Sequence, residues 1–502
     1  MAKPSFLLLI LLFFINKSDS STHQICIIGS GIAGSSLAHF LRKYSPQSTT
    51  TSHQSILIFE RNDVIGGRMR TVSIGGDAFE AGASIIHPKN HYALEFTKSL
   101  NLSVRAPSSG ANSLAIWDGT RFLFQTFSPK SDSPILDKMY DLFNSLLLLR
   151  RYGFSLIRME RFVERMLKCF LKFYEGFEER PVFGTVEEML KWAGLYEYTA
   201  RTLEEELVDA GLSPLLISEL VTVITRVNYG QSVSISGLAG AVSLAGSGGG
   251  LWSVEGGNCQ IPARLIQSSD VTLNLQEEIT SISRLGNSYQ LNSTKGNSYS
   301  CDIAVIATPL DEVNITFSPP ISIPERKLQH THATFVRGLL DPGYFGLNSV
   351  ADIPELIATV EIPDLPFTCI SILKKYSDDD MTYKIFSRAP LQDALLDRLF
   401  RLNDYVLYIA SIYSSRKETI RINWGAYPHF KAPEVFAPFL LDGFHLYYVN
   451  AFENAASAIE TGAVAAENVA RLILSRYPGL NSRDSSILTS FAHVGDLLHL
   501  DL

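Results

Sequence analysis

The ten residues Ile25-Cys26-Ile27-Ile28-Gly29-Ser30-Gly31-Ile32-Ala33-Gly34 constrain this chain more than any others. The apolar, β-branched start reads as a buried strand; the glycines read as a turn, and a helix over 35–44 follows at once. Gly29 permits the tight turn, Gly31 lets the backbone close on a pyrophosphate, and Gly34 keeps helix and strand near each other. Ala33 lies in the same turn and joins the expected contacts. The helix start offers unpaired N–H groups and the positive end of its dipole. A second apolar strand, 55–59, ends in Glu60, an acid placed to take ribose hydroxyls. The Ser/Thr-rich connection 45–55 explains why that acid comes late. A glycine turn with no ligand is the competing reading.

The length allows two or three domains. Lys3 precedes an apolar run over 6–15, then polar and small residues to 22, the pattern of a secretory signal peptide. An uncleaved anchor is the alternative. No other segment is apolar for a membrane span, so a lumenal or peripherally attached protein is expected. The net charge of −8 and the absence of a basic arm argue against nucleic acid. Of five cysteines, Cys26 and Cys301 fall in expected buried strands, where they read as small core residues. A disulfide framework is not expected, a single bridge being left open. No zinc, thiol-redox or serine-hydrolase motif occurs, and no metal site is expected. Asn101, Asn292 and Asn314 each begin a glycosylation triplet.

Nucleotide signals recur along the chain. Glu60-Arg61 is followed by Gly66-Gly67-Arg68, then by the small-residue cluster Gly82-Ala83-Ser84 and His87. Strand patterns return at 271–275, 289–292 and 302–308, and again at 444–450, where a small-residue loop and helix follow. These suggest an α/β fold with one nucleotide-binding domain assembled from 23–105, 252–310 and 440–480. An α+β substrate domain is inserted as 106–251 and 311–439; 1–22 is the leader and 481–502 a tail. The stretch 135–177 is helical by its apolar spacing and also carries Arg150, Arg151, Arg158, Arg161, Arg165 and Lys168. It is either an ordinary packed helix with a solvated basic face or an apolar, membrane-surface face. The glycine-rich run 243–250 reads as a flexible loop.

A dinucleotide turn alone does not separate NAD from FAD. The C-terminal return around Glu460-Thr461-Gly462 favours a flavin, whose ring lies far from the adenine and takes a second helix N-terminus. Taken together, Gly29, Gly31, Gly34, Glu60-Arg61, Gly66-Gly67-Arg68, 80–84 and Glu460-x-Gly462 resemble the glutathione-reductase-like FAD oxidases, which include the amine oxidases. Within that group, residues 28–36, 82–90 and 450–468 are similar to the prenylcysteine oxidase family, whose plant members are farnesylcysteine lyases.

The resemblance implies a Rossmann-like, glutathione-reductase-type FAD domain and oxidative cleavage of a thioether. Prenylcysteine, farnesyl or geranylgeranyl, would be split with O2 and water into a prenyl aldehyde, cysteine and hydrogen peroxide. Carbon 1 of the prenyl group is allylic and next to sulfur, so hydride loss leaves a stabilised cation that water captures. It implies that Glu60 holds the ribose, that Arg68 lies near the pyrophosphate or flavin, and that Glu460 and Gly462 sit at the flavin end. Ile279 is expected to make an adenine-side backbone contact. His87 is the catalytic candidate, against a purely structural histidine. No cysteine follows Cys369, which excludes a cysteinyl–flavin bond from the C-terminal segment. A lysosomal or vacuolar lumen is expected. Two alternatives stand: an amine or polyamine oxidase with an aromatic cage drawn from Trp424, Tyr427, Tyr447 and Tyr448, and a non-catalytic flavoprotein carrier of lipid conjugates.

Overall fold

A computed structural model describes residues 23–45, 54–105, 113–128, 134–176, 180–400 and 415–477. The expected leader and the tail 481–502 lie outside the described residues. Strand β1 (His23–Ile28) occupies the middle of a five-stranded sheet. Strand β2 (Gln54–Glu60) and Thr272–Leu275 lie on one side; Ile303–Ile306 and Leu446–Tyr448 lie on the other. Every pairing in this sheet is parallel. A parallel sheet is covered on both faces, which is why its central strands are unbroken apolar runs rather than alternating ones. Helix α1 (Ile32–Tyr44) and the C-terminal helix Ile459–Arg476 pack together against it.

The remaining strands form two other sheets. One has four strands, Ser298–Cys301, Ser288–Ser293, Ile279–Leu285 and Thr316–Ser318. The other has seven and runs from Glu418–Pro428 through Leu328–Gly338 and Asp380–Ser387 to Phe122–Gln125. Within it, Leu114–Trp117 pairs in parallel with Leu356–Thr359, so chain on both sides of the middle nucleotide segment builds one sheet.

The helical stretch is divided. Helix α2 (His91–Ser99) precedes it; α3 (Pro134–Tyr152) then stops at Gly153, which takes a left-handed φ of 61°, and α4 (Ser155–Phe170) begins two residues later. The glycine-rich loop is shorter than its sequence suggests. Ser236 caps a helix, Gly237–Ala245, that takes in the first residues of that run.

One expectation about the cysteines is corrected. Cys26 and Cys301 form a disulfide, with Cα atoms 5.9 Å apart across 275 positions of sequence. Each lies in the core as expected, but the strand pairing beside β1 brings one against the other. Such a pairing is invisible in cysteine spacing.

Candidate functional site

The glycine turn is built for close backbone approach. Gly29 has φ +110°, and a Cβ there would come within 2.6 Å of the Ala307 carbonyl. A Cβ on Gly34 would collide with the Gly29 carbonyl oxygen. Gly31 differs: its Cβ would find only Gly66 and Gly67 backbone, at 3.7 and 3.9 Å, so its emptiness is not required by packing. Gly31 and Gly66 form an isolated parallel bridge, and Gly66 and Gly67 both have positive φ, which brings the second glycine pair against the first turn. Thus two glycine turns and the start of α1 face one another, a cradle suited to a pyrophosphate.

Glu60 is buried at the end of β2. One carboxylate oxygen accepts from the Ser30 N–H (3.1 Å) and hydroxyl (2.6 Å), the other from Asn62 N–H and Nδ2 (2.9 and 2.7 Å). The acid thereby fixes the glycine turn to the strand beside it. The Glu60 carbonyl accepts from Glu277 N–H at 2.8 Å, which brings the start of Ile279–Leu285 to the same place. Arg61 points elsewhere and donates to the Glu312 carbonyl.

Arg68 donates to the Ala426 carbonyl and pairs with Glu453 at 2.5 Å. Burial alone would raise the Glu453 carboxyl, but Arg68 and Arg326 outweigh it and hold it below its ordinary value. The Arg68 carbonyl meanwhile packs over Gly82, where a Cβ would strike both it and the Trp424 ring. Ala83 N–H donates to that carbonyl at 3.3 Å, and the Ser84 hydroxyl donates to the Gly82 carbonyl at 2.7 Å.

Two expectations about side chains are revised. The Glu460 carboxylate is committed within the protein: it accepts from Tyr92 N–H (2.7 Å), Ala93 N–H (3.0 Å) and Tyr174 hydroxyl (2.6 Å). It caps the start of α2, where an acid complements the helix dipole. Gly462 does face the glycine turn, since its Cβ would lie 3.1 Å from Ile32 and 4.0 Å from the Ala33 nitrogen. The second revision concerns His87. Its Nδ1 accepts from Lys89 N–H at 3.0 Å and its own N–H donates to Asn90, so the ring shapes the turn before α2.

Next to Gly82 lies a recess. It is lined by Gly82, Trp424, Tyr427 and Phe386, with Arg226 and Arg388 also on its wall. His87 is not among its lining residues. Of the four aromatic residues considered as a cage, Trp424 and Tyr427 reach the recess. Tyr447 and Tyr448 are core residues of the nucleotide sheet. Among the described residues no group of His, Cys, Asp and Glu could hold a metal ion.

With this geometry in hand, the chain compares as follows. The family model for prenylcysteine lyase matches residues 135–485, and that of an NAD(P)-binding Rossmann-like domain matches 27–100. The chain belongs to the prenylcysteine lyase family. A farnesylcysteine lyase of Arabidopsis thaliana is 60% identical over 470 residues, covering 93% of this chain and 91% of that protein. Prenylcysteine oxidase 1 of Homo sapiens is 34% identical over 91% of this chain and 90% of its own length. Among solved structures, a redesigned putrescine oxidase (TM-score 0.55, 14% identity) covers 91% of this chain and 100% of its own. Cyclohexylamine oxidase of Brevibacterium oxydans (TM-score 0.56, 17% identity) covers 90% and 99%. These two share the fold.

The family motif around Gly82 has a partner that sequence reasoning missed. Lys384, in the middle of strand Asp380–Ser387, donates to the Glu80 carbonyl (2.9 Å) and the Ser84 hydroxyl (3.1 Å). Burial lowers its ammonium to about 8, with Cys369 and Glu80 opposing the shift. The signal available was a lone lysine in an otherwise apolar strand interior, where a charged residue is rarely buried without a partner.

Proposed function

We propose that this member of the prenylcysteine lyase family is an FAD-dependent thioether oxidase. It cleaves S-prenyl-L-cysteine with O2 and water to a prenyl aldehyde, L-cysteine and hydrogen peroxide. The observation that carries this reading is the 60% identity to a farnesylcysteine lyase along 93% of the chain. The residues fit FAD: glycine turns free of side chains at Gly31 and Gly67, an acid at Glu60, and Gly462 facing the start of α1. When bound, FAD supplies a two-electron acceptor that O2 reoxidises. The chain's own contribution is positional. Gly29, Gly31, Ala33 and Gly34 present the α1 N-terminus to the pyrophosphate, and Ile279 begins its strand beside the ribose acid. Arg68 holds Glu453 and Ala426 behind Gly82; Lys384 fixes 80–84 from the other side. Trp424, Tyr427 and Phe386 give the recess beside Gly82 an aromatic side against which a prenyl chain would pack.

Anaerobic titration with S-farnesylcysteine tests the reading. Stoichiometric loss of flavin absorbance, recovery of farnesal and cysteine, and return of colour with peroxide on adding oxygen are expected. Unchanged flavin with bound substrate would point to a carrier; bleaching by polyamines alone would point to an amine oxidase.

The same reading places the protein in a secretory-pathway lumen, lysosomal or vacuolar, after loss of the leader. The Cys26–Cys301 disulfide supports it, since such bonds persist in oxidising compartments. Asn101 and Asn314 are exposed and open to glycans; Asn292 is half-buried, with its amide bonded to Ser281. An anionic phospholipid surface is the proposed docking partner of α3. Ile135, Met139, Leu142, Phe143, Leu146 and Leu149 are exposed along it, and over 134–170 seven Lys/Arg face four Asp/Glu in a chain of net charge −8. No helix of the described residues is long and apolar enough to cross a membrane. Co-sedimentation with phosphatidylserine vesicles, lost on Leu142→Glu and Leu146→Glu, is the expected result.

A further inference from the structure

The recess has a charged wall that the proposed chemistry does not use. Arg226, on the helix Thr222–Tyr229, is only 2% exposed. Its Nε and Nη2 donate to the Thr359 carbonyl (3.0 Å) and hydroxyl (2.9 Å), and its Nη1 donates to Glu361 at 2.6 Å. Arg388 donates through Nε to the Gly230 carbonyl and through both terminal nitrogens to Glu361, each at 2.7 Å. One carboxylate is therefore shared by two guanidinium groups. Glu361 stays ionised: burial would raise its carboxyl, but the hydrogen bonds from Arg388 and Arg226 bring it below its ordinary value.

The cluster carries one uncompensated positive charge, and its neighbours add no negative one. His429 is driven toward its neutral form by burial, then by Arg388 and Lys327. Cys369, beside Arg226, is fully enclosed and its thiol is pushed up to about 11. Lys384, close to Cys369, is itself a base. Arg226 is buried, but the Arg388 and Glu361 side chains are 38% and 34% exposed, so the surplus positive charge lies where an anion can reach it. Of the five N–H donors on each guanidinium, three are engaged as described, which leaves two on each for a further acceptor. The N–H groups that remain, one on each terminal nitrogen, can donate to a carboxylate, the one permanent anion of a free S-alkyl cysteine.

We infer that Arg388 and Arg226, held by Glu361, form the subsite for the substrate's α-carboxylate, and that the prenyl chain lies toward Gly82 and Trp424. This rests on the prenylcysteine reading and adds the end by which the substrate is recognised. It makes the enzyme selective for the free amino acid over its esters or an internal peptide residue. It also opposes polyamines, whose positive charge the same cluster repels.

The test uses the flavin-loaded full-length protein with S-farnesylcysteine, its methyl ester and S-farnesylcysteamine, which lacks the carboxylate. Binding is followed by perturbation of flavin absorbance under anaerobic conditions, and turnover by bleaching. The wild type is expected to bind the acid about 10–100-fold more tightly than the amine or ester, the range of a charge-assisted hydrogen-bonded pair. In Arg388→Gln that preference collapses, and Arg388→Lys recovers part of it through charge without the fork. Arg388 is the residue to change, because Arg226 is core and its loss endangers folding; flavin content and melting temperature of each variant serve as controls. Equal affinities in the wild type, or an acid preference that survives Arg388→Gln, overturns the subsite while bleaching leaves the oxidase standing. Acid-selective binding without bleaching upholds the subsite and sinks the oxidase reading. Absence of both binding and bleaching rejects both.

Discussion

The nucleotide cradle and the charged side of the recess, two ends of the candidate site, are built by different routes. The nucleotide end is local: Gly29 to Gly34, Glu60 to Arg68 and Gly82 to Ser84 are short runs whose backbone shape makes the site. The charged end is assembled from single side chains reaching distant chain, Arg226 meeting the Glu361 carboxylate 135 positions away and Arg388 the Gly230 carbonyl 158 positions away. Backbone-built sites tolerate no added side-chain atom, whereas side-chain-built sites lose binding strength in steps. The comparison predicts that changes at the first end act on folding and cofactor retention, and changes at the second on affinity.

The largest expected effects lie within one turn. Gly34→Val should destabilise the protein by about 3 kcal/mol through overpacking against the Gly29 carbonyl. Gly31→Val meets no such wall. It should leave the melting temperature of the apoprotein nearly unchanged while lowering flavin content at least about 10-fold, because only the pyrophosphate loses its space. Equal loss of stability in the two variants would erase the distinction drawn here between packing and cofactor glycines.

Replacing Cys26 and Cys301 together by Ala should cost about 2–4 kcal/mol in chemical denaturation, with the flavin spectrum retained. A loss of flavin without a loss of stability would mean that the bridge serves the site rather than the sheet.

Glu460 offers a test by pH. Burial, stronger than the hydrogen bonds from Tyr174, Tyr92 and Ala93, raises its carboxyl from 4.5 to about 7. The native state therefore holds the proton more tightly than the unfolded chain. Its contribution is present in full below about pH 4.5 and is lost as the pH rises through about 7, amounting to on the order of 3 kcal/mol. Glu434, raised to about 7 as well, adds to the slope, so the difference between wild type and Glu460→Gln isolates this residue. The variant's melting temperature should fall less between pH 5 and 8, at about the slope expected from losing one titrating group. Parallel curves would remove Glu460 from the account.

The smallest effect belongs to the recess. Trp424→Phe keeps an aromatic ring beside Gly82 and should raise KM for S-farnesylcysteine about threefold, a loss near that of one buried methylene, with melting temperature unchanged. A variant that loses flavin instead would make Trp424 part of the nucleotide end.

Much of this site was legible before any coordinates. The strand–turn–helix at 25–44, the acid at Glu60 and the return at Gly462 are legible because neighbours in sequence are neighbours in space, and the turn has few chemical solutions. Glu460 was misread for a related reason. Its position beside Gly462 suggested the flavin, yet an acid at a helix start also suits another helix start, and only packing against α2 decides between them. His87 lay next to the right segment, but a turn hydrogen bond to Lys89 gives its ring other work.

By itself the sequence determined the α/β class, the dinucleotide cradle and the family, since each is written in contiguous runs whose backbone geometry admits few residue types. The tertiary structure alone decided that Cys26 meets Cys301, that Lys384 supports Ser84, and that Arg226 and Arg388 share Glu361 on the recess wall. Those contacts join residues distant along the chain through strand register and helix packing. Hydrophobic periodicity assigns each residue a buried or exposed face, but it does not say which buried residue it will touch.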